Sequence, residues 1–143
     1  MSAFWRNWLT IWCWLVAGFG LVLVGAAFPA TSGPTEMLIA NMHSGGALVF
    51  DPPLRFSFGL MGALTLALAM LVATGARAAD ELGPRGAPIW RMLVQAMLVW
   101  FVVDSSISCA TGFTLNAVSN TLLITGFLAP ILASGVLRHP VPA

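Results

Sequence analysis

Apolar positions along this chain gather into four long runs separated by short polar breaks, and that spacing predicts the architecture. The runs cover about residues 8–28, 54–76, 88–110 and 115–137, each close to or above the roughly 20 helical residues needed to cross a hydrocarbon layer of about 30 Å. The break "RAADELGPRGAP" between the second and third runs is charged and interrupted by Gly and Pro, which marks a water-exposed turn. Only "TGFT" separates the third run from the fourth, so these two form an antiparallel hairpin and must be neighbours. The expected fold is all-α: a polytopic four-helix transmembrane bundle, with residues 1–143 as a single transmembrane domain.

The one long connection, "PATSGPTEMLIANMHSGGALVFDPP", predicts a short amphipathic helix in the first outer loop. Pro34 suits a first helical position, Glu36 falls in the favoured acidic first turn, and Ser44-Gly45-Gly46 supplies a stop. Met37, Leu38 and Met42 would form its apolar side, laid on the outer membrane surface or capping the bundle in preference to serving as a ligand lid. The first run ends near the small residues of "GAAFPA", as a cleaved leader would. Its apolar part exceeds the usual ~7 to 15 residues and one Arg precedes it, so it is read as the first membrane helix.

Composition agrees with the runs: 59% of the 143 residues are hydrophobic, 8% are charged, and mean hydropathy is +0.92. Such a balance belongs to an integral membrane protein. All six basic residues are Arg, a bias that suits a bacterial, GC-rich coding sequence. In a four-helix topology Arg6, Arg77, Arg85, Arg91 and Arg138 fall on one side and Arg55 on the other. The rule that basic residues stay inside then makes both termini cytoplasmic and the location the bacterial inner membrane. A net charge of +1 with no basic cluster disfavours nucleic acid as a partner.

Polar side chains inside the runs are the candidates for chemistry. Asp104 lies about 13 residues beyond Arg91, some 20 Å along a helix, which sets it in the outer half of the bilayer. An acidic group near a membrane helix centre costs about 2.5 to 3.5 kcal/mol on insertion scales, so it should face the bundle and have a partner. Ser108 and Thr111 follow at i+4 and i+7 on the same face, and Asn116 and Asn120 come to similar depth across the hairpin. Arg55 is the basic residue on that side to consider as counter-charge. The cluster reads either as glue between helices or as the lining of an outward-facing site for a proton, an ion or a small polar ligand, with glue preferred.

Trp5, Trp8 and Trp12 share one face of the first helix, and Gly59, Ala63 and Ala67 give the second a small-residue stripe. Both suit contact with lipid or a partner chain. Trp5, Trp8 and Trp90 also fit an interfacial aromatic belt, whereas Trp12, Trp14 and Trp100 carry indole N–H groups into a dry region that needs an acceptor. His43 and His139 fall in a loop and a tail, so no membrane-embedded histidine is available for haem or pigment magnesium. Cys13 and Cys109 sit toward opposite faces, too far apart for a disulfide. No metal-ligand spacing, phosphate-cradling loop or activated nucleophile is present.

"PPLRFSFGLMGALTLALAM", "APIWRMLV" and "TGFTLNAVSNTLL" together resemble small bacterial inner-membrane proteins of the DoxX-like, four-helix kind. The resemblance rests on an Arg near the start of the second helix preceding a Gly-rich run, as Arg55 precedes Gly59 and Gly62, and it implies a fold more than a function. The expected function is a non-catalytic accessory or assembly subunit of a larger membrane complex, partnered by the bilayer and by other subunits or copies of itself. The alternative is a small transporter or ligand-binding membrane protein using the Asp104 cluster, and the third is a membrane redox or quinone-handling protein. No cofactor is expected, although the tryptophan face leaves room for a bound lipid, quinone or pigment.

Overall fold

The computed structural model describes residues 1–42 and 49–138; the expected helix stop at Ser44-Gly45-Gly46, and both histidines, lie outside them. The described residues are all-helical, in five α-helices: α1 (Ala3–Gly25), α2 (Gly33–Met42), α3 (Pro52–Glu81), α4 (Ala87–Ala110) and α5 (Thr114–Ala133). Four of them, α1, α3, α4 and α5, are long and apolar enough to cross a membrane.

Local chemistry fixes the helix ends. Ser2 caps α1, its Oγ accepting from Trp5 N–H at 3.5 Å. Asp51 caps α3 by accepting from Leu54 N–H at 2.9 Å, with Pro52 and Pro53 in the first turn where no intrahelical donor is needed. α3 runs past the apolar segment to Glu81 because its last turn carries an Arg77–Glu81 ion pair at 2.9 Å. Gly83 then ends the helix with a φ of +55°. Gly112, at φ +84°, makes the tight turn between α4 and α5. α5 stops at Ala133, earlier than the apolar run suggested, because Gly135 breaks it at φ +67° and residues Val136–Arg138 form a separate turn.

The spanning helices form an up-and-down ring in which α1 borders α3 and α5, and α4 borders the same two. Arg6 beside Asp80 joins the start of α1 to the end of α3, and Arg91, donating to the Leu137 carbonyl at 2.9 Å, joins the start of α4 to the end of α5. One end of the bundle therefore carries Arg6, Arg77, Arg85, Arg91 and Arg138, and the other carries α2. α2 is pinned there by Thr35, whose hydroxyl donates to the Val22 carbonyl at 2.9 Å. Its buried residues are Thr35 and Ile39, whereas Met37, expected on the apolar side, is 70% exposed.

The α1–α3 contact depends on glycine. A Cβ at Gly62 would run into the backbone of Gly20 and Val24, and one at Gly20 would meet the backbone of Gly62 and Leu66, so the two helices meet nearly backbone to backbone. The stripe expected at Gly59, Ala63 and Ala67 is thus only partly used. Gly59 packs on Ala27, but Ala63 and Ala67 are exposed, and the close approach falls on Gly62.

Outside, the bundle is apolar: Ile11, Trp14, Leu64, Met70, Leu71 and Leu122 are among the large side chains left exposed, as suits a surface facing lipid. Polar residues on these faces conceal their hydroxyls locally. Thr10, Thr65, Thr74, Thr121 and Thr125 each donate to the carbonyl one turn back. Inside, the core centres on Trp12, Trp90, Met97, Ile124, Phe127 and Ile131. Trp90, expected in an interfacial belt, is instead 1% exposed. The cause is the α3–α4 turn, where Gly86 lies so close to the Ala79 carbonyl that any Cβ would overlap it and α4 begins tight against α3.

Candidate functional site

The sharp Gly112 turn lets the end of α4 and the start of α5 face each other, which brings polar residues from both to one point. Asp104 Oδ1 accepts from Asn116 Nδ2 at 2.9 Å and from Asn120 Nδ2 at 3.0 Å, while the Ser108 hydroxyl is shared between the Asp104 backbone carbonyl at 2.8 Å and Oδ1 at 3.2 Å. The other N–H of Asn116 reaches Ser108 Oγ at 2.8 Å, and that of Asn120 reaches Ser105 Oγ at 3.3 Å. Both carboxamide groups therefore have each hydrogen engaged. Asn120 is buried at 3% exposure, and Asp104 and Asn116 are half-buried.

Two residues assigned to this cluster from sequence are absent from it. Thr111 is exposed and donates to its own helix at the Ile107 carbonyl, 2.8 Å away, because it has passed the last full turn of α4. Arg55 does not serve Asp104. Its Nη2 pairs with Glu36 at 3.5 Å, its Nη1 donates to the Ala26 carbonyl at 3.3 Å, and its guanidinium lies 5.6 Å from the Phe50 ring centroid. The counter-charge that Arg55 finds is on α2, which sequence spacing gave no means of placing beside it. Glu36 in turn accepts from Ser32 Oγ at 2.6 Å. Ser105 joins the cluster unforeseen, its neighbour Ser108 having drawn attention as the i+4 partner.

Among the described residues no ion pair reaches Asp104. Nor does any described group donate to Asp104 Oδ2. The carboxylate thus has one saturated oxygen and one without a protein donor. It also lines a cavity of about 490 Å³ to which all four long helices contribute, with Ser119, Asn116 and Asn120 on the same wall. The remaining wall is apolar, and includes Trp12 and Val16 of α1, Leu68 of α3, and Met97 and Trp100 of α4. Leu38, Ile39 and Met42 of α2 close the end. Leu15, Phe19 and Leu122 line the same cavity yet are 67%, 39% and 71% exposed, so it reaches the outer surface between α1 and α5.

Of the tryptophan face only Trp12 is buried; Trp8 stays 43% exposed although its indole bonds to α5. Trp12 is 6% exposed and donates its indole N–H to the Leu123 carbonyl at 3.0 Å. Trp8 donates to the Gly126 carbonyl at 2.8 Å. That acceptor exists because Pro130 sits four residues on, inside α5, with no N–H to donate back to residue 126. The Pro inside the fourth apolar run was a legible signal for a spare carbonyl at Gly126. Trp5 is half-buried and stacks edge-on with Phe4 and Trp8, at centroid distances of 4.7 and 6.2 Å. Trp14 is 74% exposed, and Trp100, half-buried on the cavity wall, has an indole N–H with no acceptor among the described residues.

A second hollow of about 520 Å³ lies between α1 and α3 at the arginine-bearing end, with Arg6, Arg77, Asp80 and Glu81 around it. Its charges neutralise one another, Arg6 with Asp80 at 3.3 Å and Arg77 with Glu81 at 2.9 Å. The Asp104 cavity differs in that its acidic group forms no ion pair among the described residues. Both cysteines are free, Cys13 buried and Cys109 exposed, and no group of three metal-ligating side chains occurs among the described residues. Scans against protein-family models, curated proteins and solved structures return no match.

Proposed function

We propose that this chain is a small multi-pass membrane protein that binds an amphipathic small molecule in the cavity beside Asp104. The observation that carries this reading is the carboxyl group of Asp104: one oxygen is held by the Asn116 and Asn120 amides, the other has no donor among the described residues, and the side chain belongs to the wall of a largely apolar cavity. A purely structural polar cluster would be closed on itself, because an unmatched acceptor in a dry bundle is costly. Pockets of about 300 to 1,000 Å³, mostly apolar with a few fixed polar groups, are the usual form of small-molecule sites.

The accessory-subunit reading draws less on these faces than the sequence suggested: Trp8 and Trp12 bond to α5, Gly62 meets α1 and Gly59 meets Ala27, while Trp8, Ala63 and Ala67 keep exposed surface. With five arginines at one end, that end is assigned to the cytoplasm of a bacterial inner membrane, and Asp104 and α2 lie toward the opposite face.

The test is extraction of the protein in mild detergent, followed by mass analysis of everything that remains bound. The expected result is a stoichiometric small molecule in the wild type that is missing from Ser119→Trp, a variant that fills the cavity. Stoichiometric co-purification with a larger complex would restore the accessory-subunit reading. A bare chain with no bound molecule would count against the cavity as a ligand site.

A further inference from the structure

The assignment of the cavity to a ligand leaves open what kind of molecule it accepts, and the donors and acceptors facing it narrow the choice. We propose that the ligand is a lipophilic ammonium ion, its N–H donating to Asp104 Oδ2 and its apolar body lying along Trp100 and Trp12. This inference rests on the reading of the cavity as a binding site and names the chemical class it takes.

Charge decides first. The neutral amides of Asn116 and Asn120 converge on Oδ1, and the single Ser108 hydroxyl hydrogen is shared between the Asp104 backbone carbonyl at 2.8 Å and Oδ1 at 3.2 Å. Arg55, the counter-charge candidate on the same side of the bundle, is held by Glu36 and the Ala26 carbonyl. Among the described residues no cation reaches this half-buried acidic group, and a carboxylate there gains from an opposite charge. An ammonium group supplies both the charge and the missing donor, and charge-assisted bonds of this kind are about twice as strong as neutral ones.

Hydrogen-bond inventory decides against the main competitor. A quinone brings acceptors only, yet both N–H groups of Asn116 and both of Asn120 are already engaged. The Trp100 indole is the one uncommitted donor among the polar groups that line the cavity described above, and Asp104 Oδ2 would repel a carbonyl oxygen. Trp100 and Trp12 instead offer aromatic faces, which attract cations. The Trp12 ring is held in position by its bond to Leu123.

The way in explains why the ion must be lipophilic. The cavity meets the surface between α1 and α5, flanked by Leu15, Phe19 and Leu122, all on the lipid-facing side of the bundle. A molecule entering there comes from the hydrocarbon and needs an apolar body to be present in it.

The experiment uses the full chain in phosphatidylcholine nanodiscs, with empty nanodiscs subtracted, and measures equilibrium binding of three probes at neutral pH. These are 3-(1-naphthyl)propylammonium, the isosteric 3-(1-naphthyl)propan-1-ol, and a decyl-substituted benzoquinone. In the wild type the ammonium should bind at least about tenfold more tightly than the alcohol, the difference expected for a charge-assisted over a neutral bond. Asp104→Asn should remove that advantage, because its carbonyl can take the Oδ1 position and leave an NH₂ donor where Oδ2 accepted. Ser119→Trp should abolish binding of the ammonium.

Tighter or equal binding of the alcohol or the quinone, lost in Ser119→Trp, would overturn the ammonium assignment and leave the cavity as a binding site. Unchanged ammonium binding in Asp104→Asn would do the same. Binding of no probe, or binding indifferent to Ser119→Trp, would overturn both readings. The comparison of ammonium with alcohol on the wild type decides the class even if Asp104→Asn fails to fold.

Discussion

Asp104 is the residue at which stability and function separate. Its Oδ1 holds Asn116 and Asn120 to α4, and each such bond between membrane helices contributes about 0.6 to 2 kcal/mol. Asp104→Asn keeps an acceptor at that point and should melt within a few degrees of the wild type in detergent. Asp104→Leu strands two carboxamides and should melt clearly lower; equal losses in the two variants would mean that charge, not hydrogen bonding, joins the helices. Trp8 offers a second residue-level test, because its acceptor at Gly126 is made available by Pro130. Trp8→Phe should cost roughly 0.5 to 1.5 kcal/mol. The same change in a Pro130→Ala background should cost less, since an Ala N–H then competes for the carbonyl, and a thermal-melt double-mutant cycle would read that coupling. Additive losses would show that Pro130 has no part in the bond.

Among the elements, the α1–α3 pair has the least tolerance. Gly62→Val places branched atoms against the Gly20 and Val24 backbone and should destabilise by about 1 to 3 kcal/mol or more, the range for overpacked cores. Ala63→Val, one residue along the same helix and exposed, should leave the melting temperature nearly unchanged. The pair of melts distinguishes the packed face of α3 from its lipid face; a reversed order would place the helix contact on the stripe first expected from sequence. That stripe, Gly59, Ala63 and Ala67, was chosen on i+4 spacing alone. Spacing identifies small residues that share a face but not which face meets a neighbour. α2 shows the same limit: Glu36 was legible as an acidic first-turn residue, but its pairing with Arg55 required knowing how the loop folds back.

For the whole molecule, the orientation proposed from the arginine distribution can be tested with the free cysteines. Cys109 is exposed in the last turn of α4, whereas Cys13 is buried midway along α1. In intact cells with the cytoplasm closed, a membrane-impermeant maleimide should label Cys109 from the outside, and Cys109→Ser should remove the signal. Labelling that appears only after the membrane is opened would invert the proposed topology. The ring order of the helices matters here as well, because it puts the cavity entrance between α1 and α5, which are joined mainly through Trp8, Trp12 and the cover of α2.

The sequence alone determined the four spanning helices, the tight α4–α5 hairpin and most of the Asp104 cluster. The reason is that all of these are local: long apolar runs declare helices, a four-residue break forces neighbours, and a hairpin brings residues 104 and 120 together at predictable depth. Tertiary structure alone decided that Trp8 and Trp12 bond to α5, that Gly62 makes the close helix contact, that Arg55 belongs to Glu36, and that Asp104 borders a cavity. In a soluble helix the apolar stripe shows which side is inside. Here the lipid-facing and core-facing sides are both apolar, so the pattern that announces each helix is silent about how it is turned.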